Sequence, residues 1–98
     1  MVSQVRAIGI PWYDREDYSR ILSIMEDASL LPRSYDQWLQ KAEGVERAQK
    51  AQGMIAIRAI IDPSAFQAWC RARSLNVDAK ARAMFASEVA FREVNKTH

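Results

Sequence analysis

The strongest constraint on the fold is a short apolar run, MIAIRAII from Met54 to Ile61, bounded by Gly53 and by the pair Asp62-Pro63. Its four isoleucines favour a strand, and the run is short for a helix. Its nearly continuous apolar character predicts burial on both faces, or helices on one face and a partner on the other.

A second candidate strand runs from Val5 to Ile10, and we expect Pro11 to end it. Helix-capping residues precede the remaining apolar patterns, and they are Asp14, Ser34, Asp62 and either Asn76 or Asp78. The sequence therefore predicts one compact α+β domain over residues 1–98, with two short β-strands and four α-helices in the order β-α-α-β-α-α. Residues 95–98 are predicted to be frayed.

Two strands alone make a marginal sheet. We expect them to pair antiparallel, because isolated parallel pairs are rare. Their open edges then need cover, which either helices or a second copy of the chain could supply. A homodimer whose sheet has four strands is therefore one prediction.

Two helices show apolar sets with helical spacing. The second helix is predicted to turn Trp38, Ala42 and Val45 inward. The apolar residues of the last helix are Ala81, Met84, Phe85, Val89 and Phe91.

Candidate catalytic groups are sparse, since the only Cys is Cys70 and the only His is the terminal His98. Cys70 follows Trp69 on an apolar helix stripe, which favours a buried structural thiol over a nucleophile. Four acids could gather as ligands for a hard cation, although each also suits a helix start: Asp14, Glu16, Asp17 and Asp62. We predict no catalytic residue, cofactor or metal. Enzyme activity stays uncertain and leans towards none, because carboxylates alone can perform acid–base chemistry.

The predicted location is the cytoplasm. No apolar run approaches the roughly 20 residues that a membrane span needs. The first residues lack the order of a signal peptide, and a lone Cys suits a reducing compartment. We expect no membrane partner.

Trp12 and Tyr13 are the candidates for protein contact, because two large aromatic residues in a turn can form an exposed patch. They could equally close one end of the core, with Tyr13 stapling the first helix. Arg6 and Arg58 are candidates for binding a small anionic ligand, since an arginine in an apolar strand needs an anion nearby. The alternative for each is that its side chain extends to the sheet edge, or that it forms an ion pair with a helix glutamate, such as Glu43, Glu46 or Glu88.

A basic segment brackets the predicted turn between the last two helices and contains Arg71, Arg73, Lys80 and Arg82. It could present cations to a nucleic acid. A solvated helix surface explains it equally, because cations are favoured at a helix C-terminus. The net charge of +2 does not require a nucleic-acid partner.

The chain resembles a small family of short bacterial proteins of unknown function. The residues that carry the resemblance span most of the chain and are Ile10-Pro11-Trp12-Tyr13, Asp17-Tyr18, Leu31-Pro32, Tyr35-Asp36, Trp38, Ile61-Asp62-Pro63, Phe66 and Trp69-Cys70. The resemblance implies a compact bacterial domain and no particular activity.

The sequence favours a small non-enzymatic protein that acts through protein–protein contact or as an oligomeric accessory factor. A nucleic-acid-binding regulator that uses the basic turn is the first alternative. A small-ligand binder or enzyme built around the strand arginines is the second.

Overall fold

The computed structural model describes residues 6–96, so Val5 and His98 lie outside the described part. Its strands and helices are β1 (Ala7–Trp12), α1 (Tyr18–Ile24), α2 (Tyr35–Ala51), β2 (Ile55–Ile60), α3 (Pro63–Ala72) and α4 (Ala79–Asn95). Two short 3-10 turns, Arg15–Asp17 and Ala28–Leu30, flank α1. The predicted α+β class and the order β-α-α-β-α-α are confirmed.

The two strands pair parallel, so the antiparallel prediction is wrong. Ala7 lies opposite Ile55 and Trp12 lies opposite Ile60. Helices α1 and α2 occupy the connection between the strands, and a connection that long can return the chain to the same end of the sheet. The length of this connection therefore indicates the direction of strand pairing better than the general rarity of isolated parallel pairs does.

Strand β1 continues through Pro11 to Trp12, so the prediction that Pro11 ends it is also wrong. Ile55 donates its N–H to the Arg6 carbonyl at 2.8 Å, and Ile61 donates to the Trp12 carbonyl at 2.8 Å. The even-numbered residues of β1 therefore direct their backbone N–H and C=O groups towards β2. The backbone of Pro11 is directed towards the outer edge. Its missing N–H removes no bond from the ladder there.

Three predicted helix caps are confirmed. The Ser34 hydroxyl accepts from the Gln37 N–H at 3.1 Å, and the Asp62 carboxylate accepts from the Ala65 N–H at 2.8 Å. Asp78 caps α4 by accepting from the Ala81 N–H. The Asp14 side chain makes no capping bond, and only its backbone carbonyl accepts from the Asp17 N–H, at 3.0 Å.

Helices α2 and α4 cover opposite faces of the sheet. On one face, the Trp12 ring packs edge-on against Trp38 of α2. On the other face, Gly9 lies so close to α4 that an added Cβ would be 2.0 Å from the Ala86 carbonyl oxygen. Side chains alternate along a strand, which assigns Trp12 and Gly9 to different faces.

The inward face of α2 differs from the predicted one, and α4 buries only part of its apolar set. Trp38 and Ala42 are buried as predicted, but Val45 is 48% exposed and Glu46 is buried. On α4, Met84 is 44% exposed and Phe91 is 69% exposed, whereas Ala81, Ala86 and Ala90 are buried. Because α4 approaches the sheet closely, small residues face inward and two of its large apolar residues face outward.

Candidate protein-contact site

The predicted contact residues Trp12 and Tyr13 are buried, at 4% and 2% exposure. Their rings join an aromatic cluster with Trp38, and the Tyr13 and Trp38 ring centroids are 4.8 Å apart. The expectation of an exposed aromatic patch is thus wrong, because packing against α2 satisfies both rings. Neither ring offers a surface to a partner.

Hydrogen bonds fix the same cluster to the backbone. The Tyr35 hydroxyl donates to the Tyr13 carbonyl at 2.8 Å, and the Tyr18 hydroxyl donates to the Pro32 carbonyl. Burial raises the pKa of Tyr13 to about 12, so this phenol stays neutral at physiological pH. These contacts give the cluster a structural role.

Arg58 pairs with Glu46 of α2, which was one of the predicted alternatives. Its Nε and Nη2 donate to the two carboxylate oxygens at 2.7 and 2.9 Å, and its guanidinium lies 4.0 Å from the Trp12 ring centroid. The hydrogen bonds from Arg58 lower the pKa of Glu46. Because a carboxylate already neutralises it, Arg58 presents little free charge to an anionic ligand.

Arg6 is exposed and lies just before β1. Arg58 is opposite Ile10 in the register, four residues beyond Arg6. At about 3.3 Å per residue, the two positions are roughly 13 Å apart along the sheet. The structure does not bring the two candidate ligand arginines into one site.

Arg82, a predicted nucleic-acid contact, is 8% exposed. It donates to both oxygens of Asp27 at 2.8 and 2.9 Å, and it contacts the sulfur of Met25. The hydrogen bonds from Arg82 lower the pKa of Asp27. Arg82 therefore joins α4 to the segment after α1 and is unavailable to a nucleic acid, which corrects that prediction.

The other three cations of the basic segment are exposed. Arg73 stacks on the Trp69 ring at 4.2 Å and lies 3.7 Å from the carboxylate of Glu88. Arg71 and Lys80 complete the set. With Arg82 buried and Arg73 beside an acid, the predicted basic surface shrinks to two unburied cations and one partly neutralised one.

Cys70 is buried, and burial raises the pKa of its thiol. Such a thiol is a poor nucleophile, which supports the structural interpretation. Across residues 6–96, no group of three or more His, Cys, Asp or Glu side chains could hold a metal ion.

The structure shows a different candidate site at the outer edge of β1. Within the described residues the sheet contains only β1 and β2, so the outer edge of β1 has no strand beside it. A groove of about 320 Å³ follows this edge. It is lined by Ala7, Ile8 and Gly9 of β1 and by Ser87, Ala90, Phe91 and Val94 of α4.

A second groove of about 310 Å³ adjoins the other end of β1, beside Ile10 and Pro11. Its wall on α2 includes Lys41, Ala42 and Val45. We call the edge of β1 from Ala7 to Pro11, with its α4 wall and this α2 wall, the open-edge surface. Its geometry suits an extended polypeptide, since strand edges offer regularly spaced donors and acceptors.

The sequence contained one usable sign of this surface, the exposed side of α4. Met84, Ser87 and Phe91 recur at a spacing of three and four residues, which places them on one side of a helix. Large apolar residues usually pack inward, so the sequence alone does not show that Met84 and Phe91 are exposed. Only the Gly9–Ala86 approach shows that alanines occupy the inward face.

The fold and this surface define a small α+β domain with a two-stranded parallel sheet between helices. The chain belongs to a family described as a domain of unknown function, DUF8829, whose family model matches residues 3–97. The expected resemblance to a family without an assigned activity is confirmed. Neither the curated proteins nor the solved structures include a significant match. Among the described helices, none combines the length and apolarity that crossing a bilayer requires.

Proposed function

We propose that this chain is a non-enzymatic protein of the bacterial cytoplasm that acts through protein–protein contact. The contact is made by the open-edge surface, which binds an extended polypeptide strand. The single observation that carries the proposal is the unpaired edge of β1 beside the exposed Phe91.

The backbone of β1 gives this surface its binding groups. Ala7 and Gly9 turn their N–H and C=O groups away from β2, because the even-numbered residues face it. An added strand would satisfy these groups by β-augmentation. Phe91 and Val45, which are 69% and 48% exposed, would pack against its side chains.

The compartment has separate support. Cys70 is a free thiol, and cysteines without a disulfide partner are typical of proteins in a reducing compartment. The resemblance to short bacterial proteins supports a bacterial source.

The two alternative functions have less support. Arg82, a candidate for nucleic-acid binding, forms an ion pair with Asp27. Arg58, a candidate for binding an anionic ligand, forms an ion pair with Glu46. Neither alternative retains a concentrated positive surface.

Site-specific photo-crosslinking in living cells tests the proposal. A photoreactive amino acid replaces Ser87 on the open-edge surface, and Ser19 on the exposed side of α1 serves as the matched control. We expect Ser87 to give a discrete polypeptide adduct that Ser19 does not give, and Phe91→Glu to abolish it. Absence of any adduct at Ser87 would exclude contact through this surface.

A further inference from the structure

We infer that the strand bound by the open-edge surface is β1 of a second copy of this chain. The dimer then contains a continuous sheet in the order β2–β1–β1′–β2′, related by a two-fold axis. This inference rests on the proposed function and names its partner.

The hydrogen-bonding groups of β1 match those of a second β1. Ala7 and Gly9 each present one donor and one acceptor to the outer edge, as the pairing of Arg6 and Trp12 with β2 requires. With a two-fold axis at Ile8, Ala7 of one copy lies opposite Gly9 of the other. Both such pairs then exchange two hydrogen bonds.

Pro11 selects this register over its neighbour. Centring the axis on Gly9 would place Ala7 opposite Pro11, which has no N–H to donate. That arrangement leaves the Ala7 carbonyl of each copy without a partner. The register centred on Ile8 places no proline opposite Ala7 or Gly9, and it brings two isoleucines together on the α2 side of the sheet.

The walls of the groove also suit a second copy. None of the residues that line the groove beside Ala7, Ile8 and Gly9 is charged. Two copies can therefore approach across this groove without like charges facing each other, and the cations Lys41 and Arg82 belong to the lining of the second groove. Phe91 lines this groove and is 69% exposed, so it offers the second copy an apolar side chain to cover.

The size of the contact predicts its strength. The strand edge and its two helix walls comprise 12 residues, which corresponds to roughly 800 Å² of total buried surface. That area lies just below the roughly 1,000 Å² that a stable specific interface buries. We therefore expect a reversible dimer whose population rises with protein concentration.

The first experiment measures mass by sedimentation equilibrium over a concentration series, from low micromolar upward. We expect the mass to rise from 11.2 kDa towards twice that value. Ala7→Pro removes a donor at the edge of β1, and Ala56→Pro removes one at the outer edge of β2. The first substitution should abolish the rise and the second should leave it.

The second experiment tests the register through disulfide formation under mild oxidation. Directly opposed residues of a non-hydrogen-bonded antiparallel pair have Cα atoms about 4.5 Å apart, within the range of a disulfide. Ile8→Cys should therefore give a covalent dimer. Ala7→Cys is the control, because its two copies would be about 8 Å apart, beyond that range.

A chain that stays monomeric at every concentration, with no disulfide from Ile8→Cys, overturns the inference of a second copy. If Ser87 still gives a photo-adduct with a different polypeptide, the proposed contact function stands and only the identity of the partner changes. If Ser87 gives no adduct of any kind, both ideas fail. A dimer that Ala56→Pro abolishes and Ala7→Pro does not would also overturn the inference.

Discussion

Replacing Gly9 with alanine tests the closest approach in the fold. The added Cβ would lie 2.0 Å from the Ala86 carbonyl oxygen and 2.6 Å from its carbonyl carbon. Non-bonded carbon contacts are about 3.5–4.0 Å, so α4 has to move by roughly 1 Å or more. The obstacle is backbone, which has no alternative rotamer.

Overpacking costs about 1–3 kcal/mol and occasionally more, and the rigid obstacle places Gly9→Ala near the upper end. We expect a loss of roughly 3 kcal/mol in the free energy of unfolding, or about 12–24 °C in Tm for a domain of this size. Urea titration and thermal melts measured by circular dichroism at one protein concentration provide the assay. A single concentration keeps any contribution from self-association constant.

Gly44→Ala is the matched control, because the same substitution there meets open space. Its new Cβ would approach only the end of the Arg47 side chain, at 3.9 Å. Gly44 lies inside α2, where alanine is favoured by up to about 1 kcal/mol. One Gly→Ala change should therefore destabilise the protein and the other stabilise it. A Gly9→Ala variant as stable as the wild type would refute the close packing of α4 on β1.

Three further predictions concern the buried ion pair, the thiol and the basic segment. Asp27→Asn should lower the free energy of unfolding at pH 7 by roughly 3 kcal/mol, measured by urea titration, because it leaves the buried Arg82 without its counter-ion. The lowered pKa of Asp27 means that its contribution is present above the pKa of the unfolded chain and is lost as pH falls through the folded pKa. The wild type should thus lose stability in acid more steeply than Asp27→Asn, and equal slopes would contradict this. Cys70 should react with an aromatic disulfide reagent at a rate that rises steeply with urea, since burial protects it; rapid reaction of the native protein would contradict the structural role. The protein should show no salt-dependent retention on mixed DNA or RNA columns, and retention lost on replacing both Arg71 and Lys80 with alanine would restore the nucleic-acid hypothesis.

Local chemistry explains what the sequence could predict. The caps at Ser34, Asp62 and Asp78 each depend on a backbone N–H three residues away, so a short segment contains the whole interaction. The strand Ile55–Ile60 was predicted for the same reason, since its residues and their flanking Gly and Pro are contiguous. The order of elements followed from these local signals.

Long-range pairing explains what the sequence could not predict. Arg82 meets Asp27 across 55 residues, and nothing near either residue distinguishes a buried arginine from a solvated one. The exposure of Phe91 likewise depends on the Gly9–Ala86 contact, which joins β1 to α4. The direction of strand pairing, which was predicted wrongly, also depends on long-range structure, because α1 and α2 determine how the chain returns to the sheet.

The two edges of the sheet differ in a way that favours a closed dimer over an open-ended fibre. If both edges were equally available, β1 of one copy could pair with β2 of the next, and the chain of contacts would not close. The outer edge of β2 carries Arg58, whose charge is held at that strand by Glu46 and Trp12. A strand added at that edge would have to cover the Arg58–Glu46 ion pair, and removing charges from water is costly, whereas the groove beside Ala7, Ile8 and Gly9 is lined by uncharged side chains. The Arg58–Glu46 ion pair therefore has two consequences. It makes Arg58 a poor site for an anionic ligand, and it leaves the edge of β1 as the preferred place of contact.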